Sequence, residues 1–248
     1  MDFNNSHIKN NVIYLTEEVT AFSDIYIAVR EKEQRVLTDK TVALLPYLKR
    51  NEWEYRVKST ERFMSYLSSK KETLAILDVG CGNGWFTNVI AKVSEKNEVI
   101  GLDVNRDELE QATRIFKRNN LQFVYGDIFE IENAFKRQFD IITLNSCIQY
   151  FSEFQALFST LKLFLKPEGE IHIIDSPFYK KDKIAEAKQR TVSYYTDLGF
   201  PEMASNYFHH SINNLQEFEI LYSNKNKLLN KILNRKDSPF PWLRYIAK

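Results

Sequence analysis

The residues with the clearest chemical meaning form a glycine-rich loop between a predicted strand and a predicted helix. The loop reads Leu77-Asp78-Val79-Gly80-Cys81-Gly82-Asn83-Gly84. Glycines allow the backbone to turn sharply there and a ligand to come close to it. The helix that follows would add unpaired N–H groups and the positive end of its dipole. The loop therefore predicts a binding site for a small ligand at the end of the strand.

The spacing of the glycines and the next acidic residue indicate the kind of ligand. A dinucleotide-binding fingerprint requires Gly-x-Gly-x-x-Gly/Ala, but Trp85 occupies the third small position. A large indole at that position argues against a bound pyrophosphate. Asp103 ends the next predicted strand, about twenty residues later, where a carboxylate can bind a ribose diol. Asp103 therefore supports a nucleoside ligand, although it is common to NAD sites and S-adenosylmethionine (SAM) sites.

Strands and helices that would position this loop alternate through the middle of the chain. Short, nearly continuous apolar runs, typical of parallel strands buried on both faces, occupy 74–79, 99–104, 121–125, 139–144 and 170–174. Asn105 is predicted to cap one of the helices between them, with Glu108 at its third position. Ser152 with Gln155 is predicted to form a capping box at another. Pro167-Glu168-Gly169 is predicted to end that second helix and turn the chain. The order predicts an α/β fold with a parallel sheet and helices on both sides.

The two flanks differ from this alternating region. Residues 1–70 show helical periodicity without a convincing strand and predict an N-terminal helical cap. The ligand-binding domain would then be 71–248, and the two parts are expected to form one compact unit. A helix is predicted over about 182–198, where Gly199 and Pro201 would stop it. Two last strands are predicted over 218–222 and 242–247.

Five ordered motifs within residues 73–175 give the chain a family resemblance. They are the glycine loop (77–84), Gly-Leu-Asp-Val (101–104), Gly-Asp-Ile (126–128), Phe-Asp-Ile-Ile (139–142) and Leu-Lys-Pro-Glu-Gly-Glu (165–170). With them the chain resembles the class I SAM-dependent methyltransferases, particularly the small-molecule branch called type 11 or type 25. The resemblance implies SAM as the cofactor and a Rossmann-like, mostly parallel sheet of seven strands sandwiched by helices. The last strand would be antiparallel.

The resemblance also implies which residues contact SAM. The methionine portion would be surrounded by Asp78, Gly80, Cys81, Gly82, Asn83 and Gly84. Asp103 would bind the ribose hydroxyls, and Val104 would lie beside the adenine. Asp127 would accept a hydrogen bond from the adenine amino group, and Ile128 would pack on the ring.

Further polar residues are candidates for contacts near the reacting methyl group. By the same resemblance, Asn145 and Ser146, at the end of the fourth strand, would lie near the sulfonium. Arg56 is a candidate for binding the SAM carboxylate or an acidic substrate, because a guanidinium binds carboxylates through a two-pronged fork. A solvated position on a helix face is an equal alternative for Arg56. Arg30 and Arg35 lie in the same cap and are of interest for the same reason.

The catalytic residues remain unassigned, because methyl transfer from a sulfonium can be accelerated largely by positioning. A general base is needed only when the acceptor must lose a proton. Weak candidates are Tyr150 and the two histidines His209 and His210, whose neutral imidazoles can accept a proton near pH 7. An exposed loop, or a position at the start of a strand, is the favoured alternative for both histidines. Tyr150 and Cys147 follow the fourth strand and would face the acceptor, although Cys147 fits better as a small buried residue. His172 lies within a strand pattern and is expected to be structural.

Aromatic residues in the flanks would suit the wall of an apolar or aromatic acceptor pocket. Ordinary packing of the cap is the favoured explanation for most of them. They are Tyr14, Tyr26, Trp53, Tyr55, Tyr194, Tyr195, Tyr207 and Phe208.

Composition narrows the classes of partner. The net charge of +1 carries no electrostatic sign of a nucleic-acid or membrane partner. Cys81 and Cys147 are too far apart in sequence to suggest a disulfide framework or a metal-binding pair, and no other cluster has metal-ligand spacing. The N-terminus lacks the order of a signal peptide, and no apolar run approaches the roughly 20 residues that span a bilayer. A cytoplasmic protein is expected, of unknown oligomeric state.

The leading functional hypothesis is a methyltransferase that acts on a small molecule. A nucleic-acid or protein methyltransferase is the first alternative, but Asn145-Ser146-Cys147-Ile148 replaces the Asn/Asp-Pro-Pro-Tyr motif of enzymes that methylate base amino groups. A non-catalytic SAM-binding protein and an NAD-dependent enzyme are the others. The acceptor and the atom that receives the methyl group stay open.

Overall fold

One mixed sheet of nine strands organises the structure, a computed structural model that describes residues 6–48, 51–224 and 237–248. The strands are β1 (His7–Lys9), β2 (Val12–Tyr14), β3 (Ala75–Val79), β4 (Glu98–Asp103), β5 (Leu121–Tyr125), β6 (Phe139–Asn145), β7 (Leu165–Ile174), β8 (Glu219–Tyr222) and β9 (Trp242–Ile246). Their order across the sheet is β1-β2-β5-β4-β3-β6-β7-β9-β8. Neighbours from β2 to β7 are parallel, whereas β1 and β9 run antiparallel to their neighbours.

Helices cover both faces of this sheet. They are α1 (Ala21–Lys32), α2 (Asp39–Val42), α3 (Asn51–Ser68), α4 (Trp85–Ala91), α5 (Arg106–Ile115), α6 (Glu132–Phe135), α7 (Phe154–Phe164) and α8 (Ile184–Leu198). Because side chains alternate along a strand, neighbouring residues of β3 enter different cores. Leu77 joins the core formed with α6 and α7, and Ile76 joins the core formed with α3, α4 and α5. Both faces are therefore buried, as the continuous apolar runs predict.

A third, smaller apolar cluster joins helix α1 to helix α8 and the segment after it. Val29 of α1, Tyr195 of α8 and Met203 are buried there, with Tyr150 packed against them. Two distant parts of the chain thus meet above the carboxyl end of the sheet. In the part of the chain that the structure describes, no helix has the length and apolarity needed to cross a membrane.

The predicted α/β fold and its five central strands are confirmed, but the expected number of strands is wrong. Strands β3 to β9 are the seven that the resemblance implies, and β9 is antiparallel as expected. Strands β1 and β2 add two more, and β2 pairs with β5 at Ile13 and Val124. The prediction that residues 1–70 lack strands is therefore wrong for this hairpin. Three-residue strands are too short to show a period, and the turn uses two positive-φ residues, Asn10 and Asn11.

Of the three predicted helix ends, those at Asn105 and Gly199 are confirmed and the one at Ser152 is wrong. Asn105 caps α5, since its side-chain oxygen accepts a hydrogen bond from the Glu108 N–H at 3.1 Å. The capping box at Ser152 and Gln155 is wrong, because α7 begins at Phe154 with no side-chain cap. Helix α8 ends at Leu198, and Gly199, which has a φ of 92°, forms the left-handed cap after it.

The segment Pro167-Glu168-Gly169 also differs from its prediction. It does not turn the chain between α7 and a later strand, because β7 starts at Leu165, directly after the helix, and includes all three residues. The pairing of β7 with β6 shifts register between Phe139 and Ile141. A bulge of this kind accommodates turn-forming residues within a strand. The division into a cap of 1–70 and a domain of 71–248 stays a prediction.

Candidate functional site

Three adjoining cavities open at the carboxyl ends of β3, β4 and β6. In a doubly wound sheet, ligands usually bind at the carboxyl ends of the strands, at the point where the helical connections from neighbouring strands lead to opposite faces of the sheet. We call them the nucleoside cavity (about 400 Å³, beside Asp103 and Ile128), the loop cavity (about 120 Å³, beside the glycine loop) and the outer cavity (about 680 Å³, beneath α1 and α8). Tyr26 and Ser146 line all three, so the cavities meet at these two residues.

The glycine loop has the conformation that its sequence indicates. Gly80, Gly82 and Gly84 have φ values of 66°, 53° and 72°, which side chains other than glycine disfavour. A Cβ at Gly80 would come within 2.6 Å of the Cβ of Cys147. A Cβ at Gly84 would come within 2.5 Å of the Phe123 ring. Gly84 lies at the start of α4 and lines none of the three cavities, so its role in the structure is close packing.

Asp78 lies beneath the loop and lines the loop cavity. Its two carboxylate oxygens accept hydrogen bonds from Thr87 Oγ1 at 2.6 Å and Thr143 Oγ1 at 2.8 Å. Burial raises the pKa of Asp78 to about 7, although the two hydroxyls oppose the shift. The carboxyl group thus ties β3 to α4 and β6 and supports the loop from below.

Asp103 connects the loop to the nucleoside cavity. Its Oδ2 accepts a hydrogen bond from the Gly82 N–H at 2.7 Å, and its Oδ1 accepts one from the Asn105 N–H at 2.8 Å. Burial raises the pKa of Asp103 against the lowering effect of these N–H groups. The residue predicted to bind ribose therefore also holds the glycine loop in place.

The other predicted nucleoside contacts line the same cavity. Val104, Asp127 and Ile128 all face it. Asp127 Oδ1 accepts a hydrogen bond from the Phe129 N–H at 2.9 Å, and its own N–H donates to Thr16 Oγ1. The N-terminal segment before α1 therefore helps to position this part of the site.

The polar groups of the loop cavity come from the carboxyl ends of two neighbouring strands, β3 and β6. Cys81, Asn83 and Asn145 line it. The Oδ1 atom of Asn83 is buried and has no hydrogen-bond partner in the described structure. Ser146, at the end of β6, has a φ of 58°. A strained residue and an unpartnered buried oxygen within one cavity are features of a ligand site.

Glu108 is a residue of this site that sequence reasoning treated only as part of a helix start. Its side chain lines the loop and nucleoside cavities, and its Oε2 lies 3.0 Å from the position of a Cβ on Gly82. Burial and the nearby Asp103 raise the pKa of Glu108 to about 7, while Arg30 opposes the shift. Its position in the first turn of α5, shortly after Asp103, was the available signal.

The three arginines of the cap meet at the boundary between the loop cavity and the outer cavity. Arg56 Nη1 donates a hydrogen bond to Ser146 Oγ at 3.1 Å, and its guanidinium lies 5.3 Å from the centre of the Trp53 ring. Glu33 Oε2 accepts from Arg30 at 3.3 Å and from Arg35 at 3.5 Å. Arg56 therefore faces the site, and the solvated helix-face alternative is wrong.

The outer cavity is walled by tyrosines from distant parts of the chain. In the described structure these are Tyr26, Tyr55, Tyr150, Tyr179, Tyr194, Tyr195 and Tyr207. Five of the eight aromatic candidates from the sequence are among them, whereas Trp53 lines the loop cavity and Phe208 the nucleoside cavity. Tyr14 instead stacks between His7 and Tyr125 within the sheet. Tyr150 lies where the outer and nucleoside cavities meet, edge-on to Tyr26.

Asp175 is a second lining residue that the sequence did not reveal. It follows β7 with a φ of 49°, and its Oδ1 accepts hydrogen bonds from Ser59 and Ser238, each at 2.6 Å. Its buried Oδ2 has no partner in the described structure, and burial raises its pKa. Its surroundings come from three separate segments, so no local pattern could mark it.

The candidate histidines do not line any of the three cavities. His209 shares a hydrogen bond with Thr191 Oγ1 at 2.9 Å, and the ring of His210 bonds the Ile148 carbonyl at 3.0 Å. Both are buried, so the alternative of an exposed loop is wrong, and burial lowers the pKa of each. Their contacts brace the wall behind the outer cavity.

Two other residues have structural surroundings. His172 is fully buried and bonded to Glu170 and to the Trp242 indole N–H, in agreement with its expected structural role. Cys147 is buried beneath Gly80, with its thiol 3.1 Å from the Val79 carbonyl, although it also lines the nucleoside cavity. Among the residues that the structure describes, no group of three His, Cys, Asp or Glu is arranged to hold a metal ion.

Comparisons with known proteins agree with this geometry. A family model described as "Methyltransferase domain" matches residues 70–236. A malonyl-[acyl-carrier protein] O-methyltransferase of Halalkalibacterium halodurans is 32% identical over 104 residues, which are 41% of this chain and 38% of that protein. A sterol 24-C-methyltransferase of Kluyveromyces lactis is 28% identical over 151 residues, 58% of this chain and 40% of that protein. The matches thus span less than half the length of these relatives.

Solved structures show the same fold at low sequence identity. The YcgJ protein of Bacillus subtilis has a TM-score of 0.56 and 14% identity, with 77% of this chain and 98% of that chain covered. The CurJ carbon methyltransferase has a TM-score of 0.61 and 13% identity, with 92% and 68% covered. The family model covers more than half of the chain. The chain therefore belongs to the methyltransferase domain family and has the class I fold that uses S-adenosylmethionine as its cofactor.

Proposed function

We propose that the chain transfers a methyl group from SAM to a small molecule bound in the outer cavity. The observation that carries this proposal is the meeting of the three cavities at Tyr26 and Ser146. Two of the cavities suit the two ends of a nucleoside that carries an amino acid. The third provides a separate space for an acceptor beside the point where they join.

The nucleoside end of SAM would lie between β4 and β5. Asp103 and Glu108 both offer carboxylate oxygens toward this space, and either can accept from a ribose hydroxyl. Val104 and Ile128 supply apolar surface for the adenine, with Asp127 placed to accept from its amino group. The carboxylates also favour a positively charged cofactor over a neutral one.

The methionine end would lie in the loop cavity. Asn83 Oδ1 lacks a partner and can accept a hydrogen bond from the ammonium group. Arg56 is placed to bind the carboxylate, while Asn145 and Ser146 lie toward the sulfonium. The absence of side chains at Gly80 and Gly82 allows the ligand to approach the backbone closely.

The bound cofactor supplies a methyl group that its sulfonium already activates. The chain's own residues would hold the acceptor in line with that group and exclude water from it. Tyr26 and Tyr150 stand at the junction and are suited to orient the acceptor by packing and hydroxyl contacts. Burial raises the pKa of Tyr150, so near neutral pH its hydroxyl acts as a hydrogen-bond donor.

A small-molecule acceptor suits the enclosure of the outer cavity better than a nucleic acid. The net charge of +1 provides little general attraction for phosphates. The two cysteines of the chain are free and buried, which fits a cytoplasmic location.

The direct test is calorimetry of the purified protein with S-adenosylhomocysteine (SAH) and, separately, with NAD. We expect saturable binding of SAH and none of NAD, because Trp85 replaces the small residue that a pyrophosphate site needs. A crystal structure of the SAH complex should then place its sulfur beside Tyr26 and Ser146. Absence of SAH binding, or a sulfur far from the outer cavity, would remove the proposal.

A further inference from the structure

The outer cavity carries more basic than acidic groups in its described lining. The charged lining residues are Arg30, Arg35, Arg56, Arg190, Glu33 and Asp175. Arg190 is paired with the exposed Glu186 of the same helix at 2.6 Å, so the other three guanidinium groups against two carboxyl groups leave an excess of one positive charge. Burial raises the pKa of Asp175, against the lowering effect of the Ser238 and Ser59 hydroxyls. An excess of one sign in a partly enclosed cavity attracts ligands of the opposite sign.

The arginines are held in place before any ligand arrives. One oxygen of Glu33 accepts from both Arg30 and Arg35, and its other oxygen accepts from the Tyr194 hydroxyl. Arg56 is oriented by Ser146 and by the Trp53 ring. A planar guanidinium that is already oriented loses little entropy when it binds an anion.

The cofactor increases this imbalance. The ammonium and carboxylate of SAM neutralise each other, and the sulfonium adds one further positive charge. If Arg56 binds the cofactor carboxylate, Arg30 and Arg35 still face the outer cavity together with Glu33 and Asp175, and the sulfonium lies beside them. The electrostatic field that an acceptor meets therefore stays positive once SAM is bound.

We propose that the methyl acceptor carries an anionic group, a carboxylate or a phosphate, which the arginines at the boundary of the outer cavity bind. This inference rests on the proposed function. The tyrosine walls by themselves would also suit an ammonium group, through cation–π contacts. The arginines oppose that choice, because a second cation among them and beside a sulfonium is repelled.

The test uses matched probes on the SAH-saturated protein. The four probes share a 4-hydroxyphenyl ring: 3-(4-hydroxyphenyl)propionate, its amide, tyramine and 2-(4-hydroxyphenyl)ethyl phosphate. Calorimetry should show the better of the two anionic probes binding about tenfold more tightly than the amide, with tyramine weakest. The ratio of the affinities for the carboxylate probe and the phosphate probe then shows which anionic group the site prefers. Equal affinities, tighter binding of tyramine, or no measurable binding of the anionic probes would overturn the proposal.

Two variants with opposite expected effects sharpen the test. Glu33→Gln removes the acid of the arginine cluster and should raise the preference for the anion over the amide about threefold. Arg35→Gln should lower it by a similar factor. Arg114→Gln changes an exposed arginine on α5, outside the cavity lining, and should leave the preference unchanged.

SAH affinity is measured for every variant. A loss of SAH binding by the wild type would contradict the proposed function, whereas normal SAH binding without anion preference would contradict only this inference. If both cavity variants shift the preference in the same direction, the arginine cluster does not bind the probe.

Discussion

The glycine loop and the outer cavity lie at the same edge of the sheet but are built in different ways. Most of the loop and its supports come from one stretch of chain, from Asp78 to Glu108, and Thr143 and Cys147 add contacts from β6 and the residues after it. The outer cavity is assembled from α1, α3, α8 and the segment after residue 237. A change in the loop should therefore disrupt cofactor binding, whereas a change in the outer cavity should alter the acceptor.

The two regions also differ in charge. The loop side gathers Asp78, Asp103 and Glu108, and burial raises the pKa of all three. The outer cavity gathers arginines. The carboxyl groups, when ionised, suit the sulfonium of SAM, and the positive groups suit an anionic acceptor. This contrast suggests that the site recognises cofactor and acceptor by opposite electrostatics.

The largest effect should come from Gly80→Ala. The new Cβ would meet Cys147 at 2.6 Å in a backbone with a φ of 66°, and we expect a loss of about 3 kcal/mol in the free energy of unfolding. SAH binding should fall below detection in calorimetry. Denaturant titration measures the stability.

Gly199→Ala is the matched control for that variant. It has a φ of 92°, but nothing lies within 4 Å of its Cβ position. It should lose only the cost of the left-handed backbone, about 1 kcal/mol, and keep SAH binding. Equal losses in the two variants would show that the contact with Cys147 is unimportant.

Arg56→Ala should weaken SAH binding about tenfold, which corresponds to about 1.4 kcal/mol. The guanidinium faces the loop cavity from α3 and would lose its place beside the cofactor carboxylate. Calorimetry measures the change, and Lys58→Ala, on an exposed part of the same helix, is the control. Unchanged SAH affinity together with unchanged activity would show that Arg56 binds neither the cofactor nor the acceptor.

A smaller, pH-dependent effect is expected at Glu108. Below its pKa of about 7 the carboxyl group is neutral, and above it the negative charge attracts the sulfonium. The ratio of SAM affinity to SAH affinity should therefore rise about threefold between pH 6 and pH 8. Glu108→Gln should reduce this rise, and any rise that remains would come from Asp78, whose pKa is also about 7.

Glu98→Gln is the control for the pH experiment. Glu98 is exposed at the start of β4, at the opposite end of that strand from the site. Its variant should keep the wild-type pH profile of the affinity ratio. A flat ratio in the wild type would show that the cofactor does not meet an ionising carboxyl group.

The smallest effect should come from His209→Gln. The ring bonds Thr191 behind the outer cavity and lines none of the three cavities. Once an acceptor is identified, turnover should stay within about twofold of wild type, since the chemistry relies on positioning. A large loss of turnover with unchanged SAH affinity would support His209 as a base. It would also show that chemistry at the site depends on residues outside the cavity lining.

The cofactor side of the fold was accessible from local patterns. The apolar runs mark β3 to β6 because each is long enough to be buried on both faces. The Asn105 cap follows from side-chain chemistry within three residues. The hairpin of β1 and β2 could not be predicted from local patterns, because its three-residue strands gain stability only when β2 pairs with β5.

The missed residues share a different property. Glu108 was visible as a helix residue, but its contact with Gly82 depends on how α5 packs against the loop. Asp175 is surrounded by Ser59 and Ser238, which are more than 60 residues away on either side. His209 and His210 had the right chemistry for a base, but packing buries them behind the cavity wall.

The order of residues along the chain was enough to establish the alternating fold, the glycine loop and the carboxylate after β4, because these features depend on neighbours within one strand–loop–helix unit. The shape and charge of the outer cavity, by contrast, depend on how α1, α3 and α8 pack together over the sheet. A cavity wall made from residues 26 to 240 depends on long-range apolar contacts and shared ion pairs such as that of Glu33. Such contacts leave no regular spacing in the sequence.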